Sequence, residues 1–298
     1  MNKQSLLILA TLTAGLGLSA CGGNGDDISG RTPQTGALRA VNGITDSTGL
    51  DVAVEQSSPP PNVTPPLPPP TTLVPVPIDA SKIPFDGASN INALPANYYR
   101  LELTPAGTQM SFTDYVPIND ENLSTVFTYG TTASYGYFIV QQWLGISLTS
   151  GQFAVQFVHD ALAESQTVSP ICFKLTPIGG NGTTPGAPGT PLPAIVATFN
   201  SATSLFNATP STIVAYGTYS IGAYACVQDP NTFAYSYTGA PFFSSGPKGV
   251  VLPPVGTSVL QIAALDATAD QSSQYGSPIT LLLMDNTGKS TPLYNGKN

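Results

Sequence analysis

Once the first twenty residues of this 298-residue chain are set aside, no apolar run outlasts a β-strand. Gly and Pro number 29 each, so a break arrives before a helix could gather the roughly 12 residues it needs. The apolar residues between the breaks are largely β-branched or aromatic. Leu50, Val52 and Val54 alternate with Asp51, Ala53 and Glu55, and Tyr99, Leu101 and Leu103 alternate with Arg100 and Glu102. A period of two places one face of a strand in a core and the other in water. Many short strands of this kind predict an all-β chain, here two tandem β-sandwich, immunoglobulin-like domains with almost no helix.

The amino terminus has a different pattern. Lys3 is the one charge before an apolar stretch from Leu6 to Leu18, which only Thr11 and Thr13 interrupt, and small Ser19 and Ala20 follow. Such a stretch is short of the roughly 20 residues a spanning helix needs and ends at a processing site, so residues 1–20 read as a secretory signal peptide. Leu18-Ser19-Ala20-Cys21 resembles the lipobox of bacterial lipoproteins. The resemblance implies that Cys21 carries diacylglycerol and acyl chains such as palmitate, the covalent lipid being the one cofactor expected. Gly22, where the inner-membrane retention signal would place Asp, then implies the outer membrane of a diderm bacterium. The alternative is an ordinary signal peptide followed by a stray cysteine. Several acyl chains make a lasting anchor where one would not.

With Lys3 lost, the mature chain has a net charge of about −9, against −8 for the whole. Nucleic acid is excluded as a partner, because phosphate binding needs a basic face. The expected partners are the membrane, through the lipid, and an envelope protein or glycan. Cys172 and Cys226 remain as an even pair in an exported, oxidising setting, which predicts a disulfide; two buried thiols are the alternative.

Residues 21–36 read as a flexible tether, 37–149 as a first domain with a Pro-rich insertion at 57–77, and 150–298 as a second with a Gly/Pro-rich insertion at 177–193. The division rests on a repeat. Leu38 to Asn42 matches Val155 to His159, and each insertion begins about 20 residues after its first strand. The hexapeptides Phe85 to Asn90 and Phe199 to Ser204 follow the insertions, Leu123 to Tyr129 aligns with Thr257 to Ala263, and Tyr135-Gly136 aligns with Tyr275-Gly276.

Ala37 to Val54 and, again, Val155 to Ala161 resemble the opening of the bacterial domain-of-unknown-function family 4397, as do Tyr98 to Gly107 and Ile279 to Asn286 further on. Ile171-Cys172-Phe173 stands where the second copy would carry that family's Val-Asp-Val. The resemblance implies a β-sandwich in an envelope protein and supplies no catalytic residues.

Little in the chain marks chemistry. His159, the single histidine, follows Phe153, Val155 and Phe157 on one strand face and reads as a packed residue. One histidine and two paired cysteines do not furnish a zinc site. Thr287-Gly288-Lys289-Ser290 lacks the first glycine of a phosphate loop, Leu283 standing in its place. Asp46 with Asp51, and Asp120 with Glu121, are oxygen-rich enough to suggest calcium, although turns use the same residues. Phe233, Tyr235 and Tyr237 share a predicted strand face that is either a ligand-stacking stripe or part of a core, and the core is the favoured reading. The function expected is a non-enzymatic binding or structural module of the cell envelope; the alternative is an envelope hydrolase or carbohydrate-processing protein using paired carboxylates.

Overall fold

The computed structural model describes residues 35–56, 76–108, 111–165, 170–179, 189–197, 211–253 and 258–297. The signal peptide, Cys21, the tether as far as residue 34, positions 57–75 and 180–188 of the insertions, and the hexapeptide from Phe199 to Ser204 lie outside the described residues.

The chain is all-β. Strand β1 (Thr35–Ile44) starts earlier than expected: Thr35 and Gly36, read as tether, pair with Pro95 and Leu94. Around β1 forms an inner sheet. β4 (Gly87–Ala88) and β5 (Asn92–Pro95) run antiparallel to β1, β8 (Asn122–Thr131) runs parallel to it, and β9 (Ser134–Trp143) closes a hairpin on β8. An outer sheet is ordered β3 (Val76–Pro77), β2 (Leu50–Gln56), β6 (Asn97–Pro105), β7 (Phe112–Ile118). The end of the Pro-rich insertion, expected to be loop, is therefore the two-residue strand β3, lying against Ala53 and Val54.

The second half repeats this scheme. Its inner sheet is ordered β13 (Thr212–Ala215), β10 (Gln152–Asp160), β17 (Val259–Asp266), β18 (Ile279–Asp285), β19 (Ser290–Leu293), with β10 and β17 parallel. Its outer sheet is β12 (Ile195–Ala197), β11 (Ile171–Pro177), β14 (Gly217–Gln228), β15 (Tyr235–Ser244), with β16 (Val250–Leu252) beside β14. Pro177, read as the first residue of the second insertion, ends β11.

Register aligns the halves residue by residue. Ala37 pairs with Leu123 and Ala93, as Ala154 pairs with Val259 and Ile213. Asn42 and His159 thus occupy equivalent positions and do the same work: Asn42 Oδ1 accepts the Ile44 N–H at 3.1 Å, and His159 Nδ1 accepts the Ala161 N–H at 3.3 Å. Tyr99 and Tyr219 are equivalent as well. Each donates its hydroxyl to the carbonyl four residues upstream, Pro95 at 3.0 Å and Ala215 at 2.8 Å, and so fixes the corner where the chain passes from inner to outer sheet.

Two of the sequence alignments slip. Leu123 matches Val259 rather than Thr257, a shift of two that leaves the facing of every side chain unchanged. Tyr135-Gly136 lies in β9, after a tight turn, whereas Tyr275 ends the helix α2 (Ala269–Tyr275) and Gly276 caps it. That helix has its own signal in the capping box of Thr268 and Gln271. A single turn, α1 (Leu162–Ser165), is the other helix among the described residues.

All of these sheets belong to one compact unit, Pro33–Asn298. Leu38, Ala40 and Ile44 of the first inner sheet share a core with Val52, Leu101 and Leu103 of the first outer sheet. Phe153, Val155 and Phe157 share another with Phe173, Leu175 and Ile221, with Phe157 stacked on Phe173 at 4.6 Å. A third cluster joins the two inner sheets: Val41, Phe127, Phe138 and Val140 meet Val158, Ala263, Leu282 and Met284. The order of layers is outer, inner, inner, outer. Strands β10, β17 and β18 are accordingly buried on both faces nearly throughout, which explains why they read as continuous apolar runs rather than alternating ones.

The seam between the inner sheets also contains polar groups. Arg39 is fully buried there; its guanidinium donates to the Asp285 carbonyl at 2.8 Å and to Gln261 Oε1 at 2.5 Å. Gln261 Oε1 accepts from Thr125 at 2.9 Å, and Gln261 Nε2 donates to Gln156 at 2.8 Å. Burial brings the Arg39 pKa down to about 10, with the Asp285 carboxylate opposing the shift. Arg39→Ala would open a cavity and remove a donor from the Asp285 carbonyl and from Gln261 Oε1, which would keep only Thr125, so we expect a loss of roughly 3 kcal/mol in urea unfolding, measured against the surface variant Arg100→Ala.

Candidate functional site

The outward face of the second outer sheet holds the most distinctive side-chain arrangement. In β11 the odd-numbered Ile171, Phe173 and Leu175 enter the core, leaving Lys174 outside; in β14, Tyr219, Ile221 and Ala223 enter, leaving Gly222 and Tyr224 outside. Tyr237 reaches in from β15, donating its hydroxyl to the Phe173 carbonyl at 3.4 Å. The Tyr224 and Tyr237 rings meet at 5.0 Å with a 52° tilt, and Lys174 Nζ sits 5.6 Å and 5.4 Å from their centroids. Among the described residues no carboxylate pairs with that ammonium. Gly222 makes room for this cluster, since a Cβ there would lie 2.7 Å from the Tyr224 ring. Burial, reinforced by neighbouring Tyr224, pushes the Tyr237 hydroxyl pKa up.

The cluster changes the reading of the aromatic stripe. Tyr235 and Tyr237 are half-buried and belong to none of the three cores, so the expectation that these rings fill a sandwich does not hold. Phe233 is not on the strand face at all: it stands in the preceding turn with φ of 57°, 70% exposed, because Asp229 ties that turn by accepting from Asn231 and Thr232. Tyr224 and Lys174, which complete the platform, come from strands distant in sequence, and only the pairing of sheets reveals them.

Cys172 and Cys226 are bonded, with Cα atoms 5.7 Å apart. Ile171 lies opposite Ala225, so the bridge joins neighbouring strands β11 and β14 beside the platform.

The equivalent place on the first outer sheet is opposite in character. There Asp51 stands for Cys172, Ala53 for Lys174, Glu102 for Gly222 and Thr104 for Tyr224, since Val52 faces Leu103 as Phe173 faces Ala223. Instead of a side-chain cluster there is a hollow of about 290 Å³, lined by Asp51, Ala53, Asp79, Ser81, Glu102 and Thr104 among others. Lys82 pairs with Asp51 at 2.9 Å, and Asp79 accepts from Ser81 and Asn90. Glu102 has no hydrogen bond or ion pair among the described residues.

The calcium expectation separates into ordinary structural contacts. Asp46 accepts from the Thr132 N–H and hydroxyl at 2.6 and 2.8 Å, Asp51 is held by Lys82, Asp120 accepts the Thr35 N–H at 3.1 Å, and Glu121 is an exposed turn residue with φ of 56°. Among the described residues, no three His, Cys, Asp or Glu side chains gather where they could hold an ion.

Titratable groups do gather in the interior. Asp160 faces the seam, and neither of its buried oxygens has a partner; Gly43 lets it fit, because a Cβ there would come within 2.9 Å of Oδ2. Burial first, and Asp266 second, raise its pKa well above the carboxylate range. Asp86 ties the halves together by accepting from Thr280 at 3.0 Å and Gln271 at 2.5 Å; burial brings its pKa up to about 6 against the pull of those bonds. Asp266 is raised by burial, although the Ala163 and Glu164 N–H groups oppose it.

No protein-family model matches the sequence, and no curated protein does. Among solved structures the chain is similar to a leucine-rich repeat protein from Bacteroides thetaiotaomicron, with 10% identity and a TM-score of 0.20. The match covers 82% of this chain and 28% of that one, and a likeness at that score bears on neither fold nor function.

Two outcomes are expected. Replacing Cys172 and Cys226 with serine should lower stability by about 4 kcal/mol, and thiol labelling of the unreduced protein should find neither residue reactive. Asp86 keeps its proton in the folded chain at pH values where the unfolded chain has released it. Its contribution is complete below about pH 4 and is lost as pH climbs through about 6, so wild type should lose roughly 3 kcal/mol over that span relative to Asp86→Asn in urea unfolding.

Proposed function

We propose that this chain is a lipid-anchored protein of the bacterial cell envelope, carrying two diverged copies of the family 4397 sandwich and acting without catalysis as a binding or structural module. Its anchor is Cys21, at the outer membrane, and its working surfaces are the outward faces of the two outer sheets.

The observation that supports this reading is the contrast between inside and outside. Equivalent interior positions have kept their tasks, as with Asn42 and His159 or Tyr99 and Tyr219. Equivalent outward positions have exchanged an acidic hollow for a Lys174–Tyr224–Tyr237 platform. Where two copies hold the same frame and differ on their faces, the faces are where the copies have become specialised. Tyrosine is well suited to such a contact, because a ring pinned by its hydroxyl loses little entropy when a partner covers it.

Cell fractionation tests the anchor. Wild type should sediment with membranes and leave them only in detergent, while Cys21→Ala should move to the soluble fraction. Identical fractionation of the two would refute a lipid anchor.

A further inference from the structure

The hollow and the platform occupy equivalent places on the two outermost layers, and those layers lie at opposite ends of the outer, inner, inner, outer stack. One molecule is therefore unable to bring its own platform to its own hollow. We infer that the platform of one copy of this chain docks into the hollow of the next, so that the protein associates head to tail with itself. The inference rests on the reading of the outer faces as working surfaces and names their partner.

Charge and shape both match. Lys174 is a cation held in place by two rings, with no carboxylate of its own chain paired to it among the described residues. Glu102 is a carboxylate in the hollow with neither a hydrogen bond nor an ion pair there. Asp79 lies beside it, and Lys82 already satisfies Asp51, so the hollow keeps a net negative lining. The platform has Lys174 and Tyr224 where the hollow has the smaller Ala53 and Thr104, so side-chain bulk on one face meets open volume on the other. A cation pressed between rings and a carboxylate is stronger than an exposed ion pair alone, because the rings exclude water from it.

Geometry sets both the strength and the form. Three strands about 4.8 Å apart and at least seven residues long present roughly 330 Å² per partner, below the roughly 600 Å² per partner at which stable specific contacts begin. Association in dilute solution is therefore weak, and confinement of many copies to one membrane raises their effective concentration. The contact is heterologous, so it continues into a row unless the rotation between neighbours closes a ring.

The test uses full chains bearing Cys21→Ala, so that no lipid draws copies together. In sedimentation across a concentration series to about 1 mM, this protein should pass from monomer to species larger than a dimer, and added salt should reverse the shift. Lys174→Ala combined with Tyr224→Ala removes the platform alone, and Glu102→Lys spoils the hollow alone; each should stay monomeric. Mixed in equal amounts they should form dimers and nothing larger, because one intact platform then meets one intact hollow. Near-unchanged melting temperatures show that both variants fold. A protein that remains monomeric to the top of the series, or variants that assemble as the parent does, overturn the inference. Neither result touches the anchor, which fractionation measures separately.

Discussion

The architecture depends on one requirement: two sheets that are each buried on both faces must meet without leaving a polar group unpaired. The seam between the inner sheets satisfies it for most of its length with Val41, Phe127, Phe138, Val158 and Leu282, and comes close at one end, where a network around Arg39 and Gln261 uses both terminal guanidinium nitrogens and leaves Arg39 Nε unpaired. A guanidinium in an apolar layer is costly unless its donors are used. Here two of its nitrogens reach across the seam to the Asp285 carbonyl and Gln261, so the network also fixes the register of one half against the other. At the other end Asp160 breaks the requirement. Neither of its buried oxygens has a partner, Gly43 leaves it room, and burial raises its pKa well above the carboxylate range.

Freed from the core, the outer faces answer to different demands. Within them the same backbone positions accept a lysine or an alanine, a tyrosine or a threonine, with little consequence for the fold. The disulfide adds to this freedom. It braces β11 against β14 on their outward face, beside the platform, at the position where the first half has Asp51.

How far the sequence could be followed depended on what each residue's pattern encodes. Alternation in Leu50 to Glu55 identifies β2 and its facing without help, because one of its sides meets water. Ile279 to Met284 announces a strand but not its layer; the third cluster, which buries its second face, is formed by residues far away in the chain. Nothing in the sequence around Arg39 marks it for burial, which follows only from the pairing and stacking of the sheets. The repeat was legible through Leu38 to Asn42 and Val155 to His159, and it slipped in the later strands once α2 replaced a tight turn. The platform was half legible: Tyr235 and Tyr237 lie close together in the chain, but Lys174 and Tyr224 join them only through the order of strands in the sheet. Thr268 and Gln271, spaced as a capping box, could have signalled α2 beforehand.

The parallel pairings of β1 with β8 and of β10 with β17 carry a consequence for how the protein comes into being. The first strand of each half waits for one of its last: Gly43 meets Thr128, 85 residues onward. A chain arriving from its amino terminus thus holds an open, strand-rich half whose inner sheet has no central partner until nearly the whole half has emerged. The seam, which needs β17 and β18, forms later still. Such an order keeps the chain open until late in its synthesis, since the contacts that would lock it are the last to become available.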